Sequence, residues 1–131
     1  MDPSTWDEFL NGCLIVVLST VSVDGSPHAV PIEVIVRDQR IYSWVEDDSV
    51  KARNVRREGT AAVTGYMGNF FAMARGRART IEQRDAPYDD LAEGFLRKYD
   101  REEVYGNNLF IEISPEHVVY GFGRRLLPRR P

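Results

Sequence analysis

Short runs in which apolar and polar positions alternate dominate the chain, and they are interrupted by only a few segments with helical spacing. The first segment is helical. Ser4 or Thr5 offers a cap, Asp7 and Glu8 place acids in the first turn, and Trp6, Phe9 and Leu10 share one face, so a short helix is predicted to end near Gly12. Leu14 to Val21 is then rich in β-branched residues, and His28 to Val36 is a second such run beyond Asp24-Gly25-Ser26-Pro27. An antiparallel hairpin turning at Asp24-Gly25 follows. Within its second strand, alternation places Ile32, Val34 and Val36 on one face and Pro31, Glu33 and Ile35 on the other, so Glu33 points away from the core.

Arg37-Asp38-Gln39-Arg40 reads as another tight turn, leading into a third strand over Ile41-Tyr42-Ser43-Trp44-Val45. Glu46-Asp47-Asp48 stops that strand. Asp47 or Asp48 then caps a short basic helix from about Ser49 to Arg57, which ends at Glu58-Gly59. Thr60 to Tyr66 and Asn69 to Glu82 form two more strands about Met67-Gly68-Asn69. Arg75, Arg77 and Arg79 lie on one face of the second, and Ala74, Gly76 and Ala78 on a small face that must lie close to a neighbour. Asp85-Ala86-Pro87 opens a helix with Leu91, Phe95 and Leu96 at helical spacing up to Tyr99. Leu109 to Ile113 and Val118 to Phe122 give one or two closing strands. Regularly spaced antiparallel strands with two or three short helices predict a mainly β, α+β chain folded as a small barrel, since closure removes exposed edges.

Composition narrows the function classes. At 131 residues the chain is expected to be one domain, 1–131, with residues 124–131 as a basic C-terminal arm carrying Arg124, Arg125, Arg129 and Arg130. The body is acidic, with a pI near 5.4 overall, so no nucleic-acid partner is expected. Cys13 to Leu18 is the longest apolar run, far short of the roughly 20 residues a membrane span needs. Met1-Asp2-Pro3 lacks a basic secretion start, so the expectation is a cytoplasmic protein with no membrane partner. Cys13 is the sole cysteine, which excludes an intramolecular disulfide and a cysteine metal cluster.

Signatures of hydrolases, phosphate-loop enzymes and zinc proteases are absent. Neither His28 nor His117 has carboxylates at ligand spacing, so no metal is expected; both read as structural or solvent-facing, and Cys13 as a small buried residue. One constellation carries chemistry. In Ser49-Val50-Lys51-Ala52-Arg53-Asn54, followed by Arg56 and Arg57, a hydroxyl marks the helix start, where free N–H groups attract anions, and Lys51 and Asn54 lie three apart. A phosphate clamp fits this pattern, and so does an ordinary solvated basic helix paired with Asp47 and Asp48.

Leu18-Ser19-Thr20-Val21, Asp24-Gly25-Ser26-Pro27-His28-Ala29-Val30-Pro31, Ser49 to Arg57, and Ala74-Arg75-Gly76-Arg77-Ala78, in that order, resemble the flavin-binding split-barrel family of pyridoxamine-phosphate-oxidase-like proteins. His117-Val118-Val119-Tyr120-Gly121 resembles the closing strand of its deazaflavin-using branch. The resemblance implies a six-stranded antiparallel split β-barrel of the FMN-binding type. It also implies a homodimer with two cofactors held at the subunit interface, and an oxidoreductase passing a hydride to a small planar or conjugated substrate. By this likeness Lys51, Asn54 and Ser49 hold the cofactor phosphate, assisted by Arg53 or Arg57. The backbone of Val30, Pro31 and Ile32 borders the ring, and Ser43 and Trp44 approach the ring or phosphate arm, unless Trp44 is a core aromatic.

Coenzyme F-420 carries a phosphodiester and a chain of glutamates, so it gains more than FMN does from Arg53, Arg56, Arg57 and the C-terminal arginines. F-420 is therefore the expected cofactor and FMN the alternative; a non-catalytic module for a flavin, haem or another planar ligand is the third reading. Glu58-Gly59-Thr60 departs from the family pattern only in a turn. Glu33 departs from it where relatives carry an apolar or aromatic residue: it is the candidate for a proton donor, a filter against anionic substrates or the mark of a lost cofactor, unless it is an exposed or Arg-paired carboxylate. Trp6, Phe70 and Phe71 are expected near the surfaces that form the dimer.

Overall fold

A computed structural model describes residues 5–103 and 106–127. Ser4, Arg129 and Arg130 lie outside them. In chain order the elements are α1 (Trp6–Gly12), β1 (Val16–Val21), β2 (Pro27–Ile32), β3 (Val34–Arg37), β4 (Arg40–Glu46), α2 (Val50–Glu58), β5 (Thr60–Met67), β6 (Phe70–Ile81), α3 (Tyr88–Lys98), β7 (Asn108–Phe122) and β8 (Arg125–Leu126).

The hairpins form where local turn chemistry dictates. At the β1–β2 turn the Asp24 carboxylate accepts from Ser26 N at 3.0 Å and Ser26 Oγ at 2.6 Å, and Gly25 takes a φ of 87° that suits glycine. At the β3–β4 turn Asp38 and Gln39 both have positive φ, which matches a two-residue turn to the twist of its strands.

Strand order is β2-β1-β5-β6-β7-β4-β3, all antiparallel, with β8 added to β7. The strands at the two ends of this order, β2 and β3, adjoin in sequence through Glu33 alone. The single run expected from His28 to Val36 is thus divided: its first half pairs with β1 and its second with β4, so one covalent segment closes the sheet into a split barrel of six ribbons. One or two closing strands were expected; β7 runs unbroken through Ser114-Pro115-Glu116 as one. A register shift opposite Arg75 and Gly76 absorbs the extra residue as a bulge. Gly76 explains the small face of β6, because a Cβ there would overlap the Ser114 carbonyl oxygen and lie 2.8 Å from Glu116 N.

Inside the barrel, Leu18, Val34, Ile41, Val63, Ile111 and Tyr120 pack with α1 and α2, whose Phe9, Leu10, Ala52 and Val55 plug the interior. Outside it, α3 covers a second cluster of Ile35, Tyr42, Ile81, Phe95 and Phe110. Trp6 is buried in the first cluster and Phe70 packs against it, so Trp6 is not a surface aromatic. Among the described residues no helix is long and apolar enough to cross a membrane.

Candidate functional site

Ser49, rather than Asp47 or Asp48, caps α2: its Oγ accepts from Ala52 N at 3.2 Å and donates to Glu46 O at 2.7 Å. The hydroxyl is therefore engaged within the helix start. Two arginines pin the same turn, Arg53 through Asp48 O at 2.7 Å and Arg56 through Asp47 O at 2.8 Å. Asn54 faces inward and is almost fully buried; its Nδ2 donates to Thr20 Oγ1 at 3.0 Å and its Oδ1 accepts from Arg57 Nη2 at 2.9 Å. Arg57 also donates to Val21 O, so a relay from β1 fixes its guanidinium. Lys51 is half-buried and takes no hydrogen bond or ion pair among the described residues. Among the described residues, Lys51 is the cation on α2 with no hydrogen bond or ion pair.

Near this polar end, His28 stands opposite Thr20 across the β1–β2 ladder, and its Nδ1 is buried without a hydrogen-bond partner. A buried imidazole nitrogen left unpaired costs free energy that a ligand's donor would recover. Uncommitted Lys51 and orphaned His28 Nδ1 fit a ligand with an anionic arm and a polar ring edge. Along β2, Val30 is half-buried, Pro31 exposed and Ile32 buried. This strand has β1 on one side only, so its other backbone edge is open to a planar ligand.

Ser43 and Trp44 adjoin in sequence but occupy opposite sides of β4. Ser43 is buried, and its Oγ donates to Glu33 O at 3.1 Å, so it fixes the bend between β2 and β3 rather than facing outward. Trp44 belongs to the outer aromatic cluster, stacked on Phe110 at 5.2 Å and 11° and edge-on to Phe95 at 4.9 Å, with Nε1 bonded to Asn108. Its free rim lines a cleft of about 180 Å³ with Glu33, Glu46, Phe95 and Arg101. Trp44 is thus a core aromatic whose rim is open to this cleft.

Glu33 borders the same cleft, but its carboxylate is gripped by Arg101 Nη1 and Nη2, each at 2.6 Å. Behind it, Lys98 Nζ donates to Val34 O at 2.6 Å and Cys13 O at 2.9 Å, and Tyr99 Oη donates to Leu14 O at 2.7 Å and accepts from Val34 N at 2.9 Å. The end of α3 therefore straps the bend at Glu33 to the end of α1. Burial pushes the Lys98 ammonium down to about 8 and the Cys13 thiol up. None of Thr20, Lys98, Tyr99, Arg101 or Asn108 stood out in the sequence, because each acts on a partner distant along the chain.

These elements agree with the comparison of the chain against known families, in which residues 3–120 match the model for pyridoxamine 5'-phosphate oxidase. The chain belongs to the pyridoxamine 5'-phosphate oxidase family. Its fold is widely shared among solved structures. A conserved hypothetical protein of Mycobacterium tuberculosis superposes with a TM-score of 0.81 at 20% identity, over 100% of this chain and 91% of that one. A protein described as an F420 reductase gives 0.73 at 16%, over 89% and 98%. The haem storage protein of Vibrio cholerae gives 0.73 at 14%, over 88% and 92%. No curated protein matches the chain. At these identities the structural likenesses establish the split barrel and no more.

Proposed function

We propose that this family member is an oxidoreductase that binds coenzyme F-420 between two copies of the chain. When bound and reduced, that group supplies a hydride to a small planar or conjugated substrate. The observation that carries the reading is Lys51, an uncommitted cation beside the capped start of α2, where an anionic arm gains a charge-assisted contact. Asn54 acts one step back, holding Arg57 in place rather than touching the phosphate. Val30 and Ile32 lend the open edge of β2 to the ring, and Trp44 with Glu33 walls the neighbouring cleft. The chain's own part is to bind, orient and exclude water.

A homodimer suits the outer face of β2, β1 and β5, where Val17, Pro31 and Tyr66 are exposed. FMN is the second reading, favoured by one observation: Arg53, Arg56 and Arg57 spend contacts on their own chain, so the helix offers one free cation, which suits a single phosphate.

The test is equilibrium binding of oxidised F-420 and of FMN to one apo preparation by fluorescence quenching, with Lys51→Ala alongside. Tighter binding of F-420, lost in the variant, supports the proposal. Tighter FMN binding moves the assignment to the second reading, and binding of neither removes both.

A further inference from the structure

Arg75, Arg77 and Arg79 project from the side of β6 away from the barrel interior. Arg79 meets Glu112 at 2.7 Å and Arg77 meets Glu116 at 3.7 Å, which uses the two carboxylates that β7 offers on this side. Arg75 instead stands opposite His117 on β7, and among the described residues it makes no ion pair and no side-chain hydrogen bond. Its other neighbour across the ladder is Ala62, which faces Ser19, which faces Ala29. A guanidinium and an imidazole thus stand at the end of a shelf of three short side chains. No helix lies over the shelf, because α1 and α2 pack into the inner cluster and α3 into the outer one, and neither cluster includes a shelf residue.

We infer that this shelf is an anion-recognition site in which Arg75, beside His117, takes a phosphate or carboxylate of the bound ligand when two copies close over it; the inference rests on the dimeric reading above. Closing the face removes water from Arg75, and a guanidinium stripped of water needs a counter-charge. A two-fold contact presents the same surface from both copies; β1, β2, β5 and β6 carry no carboxylate, and the two on β7, Glu112 and Glu116, are already paired. The counter-charge therefore comes with the ligand. A guanidinium fork binds either anion with two parallel hydrogen bonds, and the short side chains of Ser19, Ala29 and Ala62 leave room for a flat body beside it.

The experiment compares the wild-type chain with Arg75→Gln and Arg75→Lys, using sedimentation for the dimer and calorimetric titration for binding. The probes are F-420, FMN, phosphate-free riboflavin, and 4-nitrobenzoate as a planar carboxylate added to the cofactor-loaded protein. If the anion is the cofactor's, Arg75→Gln weakens F-420 or FMN at least tenfold, spares riboflavin, and is only partly rescued by Arg75→Lys. If it is the substrate's, cofactor binding holds and 4-nitrobenzoate weakens at least tenfold. Unchanged affinity for every probe overturns the inference, as does a wild-type monomer or an Arg75→Gln dimer that dissociates without ligand. Lys51→Ala separates the two levels: cofactor affinity lost there, while Arg75→Gln leaves every probe including 4-nitrobenzoate unchanged, overturns this inference alone, whereas no cofactor binding in the wild type removes the underlying reading.

Discussion

Arg101 holds the Glu33 carboxylate with both terminal guanidinium nitrogens, and the same guanidinium lies over the Tyr99 ring with its carbon 5.6 Å from the ring centre. Glu33 is the residue at which β2 passes into β3, so the pair ties the barrel's closing bend to the chain just beyond α3. Both side chains keep part of their surface in water, which limits such a pair to about 1 kcal/mol even in bidentate geometry. Glu33→Gln and Arg101→Gln are each expected to lower stability by about 0.5–1 kcal/mol, with a coupling of similar size in a double-mutant cycle. Denaturant titration of the four proteins measures it; strictly additive losses would show that the two charges act separately.

Two glycines with crowded surroundings are expected to respond very differently to alanine. At Gly76 the added methyl meets the backbone of Ser114, Pro115 and Glu116 at the β7 bulge, which cannot swing aside, so Gly76→Ala should cost about 3 kcal/mol or more. At Gly94 the obstacle is the end of the flexible Arg37 side chain, which also pairs with Asp90 at 2.8 Å on the surface. The helix gains roughly 1 kcal/mol when an interior glycine becomes alanine, against at most about 1 kcal/mol for a lost surface pair, so Gly94→Ala should be near neutral. Thermal unfolding of both variants checks the contrast.

The same distinction between local and distant causes decides what was legible in the sequence. The Asp24-Gly25 hairpin was legible because its hydrogen bonds join residues two to four apart. The inward face of Ile32, Val34 and Val36 was legible because alternation survives the bend. The bend itself was not, since the apolar pattern runs unbroken through Glu33 while the pairing partner changes from β1 to β4. Whether Ser114-Pro115-Glu116 divides the closing segment into two strands stayed open, because nothing local reveals the bulge that β7 forms there against β6. Lys51 and Asn54 read as one clamp from their spacing, yet burial against Thr20, 34 residues away, turns Asn54 inward and leaves Lys51 free.

Lys98 gives a pH dependence with a definite sign. Burial lowers its folded-state value to about 8, below the ordinary lysine value of 10.5. Below pH 8 the ammonium is charged in both states and the folded form carries the burial cost. Above it the folded form sheds its proton first, the unfolded state binds more protons, and stability rises with pH. Burial of Cys13 pushes its thiol above 9.0 and opposes the trend once the unfolded thiol ionises, so the rise is confined to about pH 8 to 9. Since Lys98 is only half-buried, the gain is on the order of 1 kcal/mol. Melting curves at pH 7, 8 and 9 should show it in the wild type and not in Lys98→Met.

Lys51 and Asn54 are expected to separate when binding and stability are measured side by side. Lys51 makes no hydrogen bond or ion pair among the described residues, so Lys51→Ala should leave the melting temperature nearly unchanged. It should also remove a charge-assisted phosphate contact of about 1.5–3 kcal/mol, a loss of roughly 10- to 100-fold in cofactor affinity. Asn54→Ala instead strips a buried bond from Thr20 and frees the Arg57 guanidinium, which should lower stability by about 1–3 kcal/mol. Its effect on affinity should be the smaller of the two, because it reaches the anion only through Arg57. Equal losses of affinity without loss of stability would return Asn54 to the direct contact that its spacing first suggested, and an undisturbed affinity in Lys51→Ala would remove the clamp from α2 altogether.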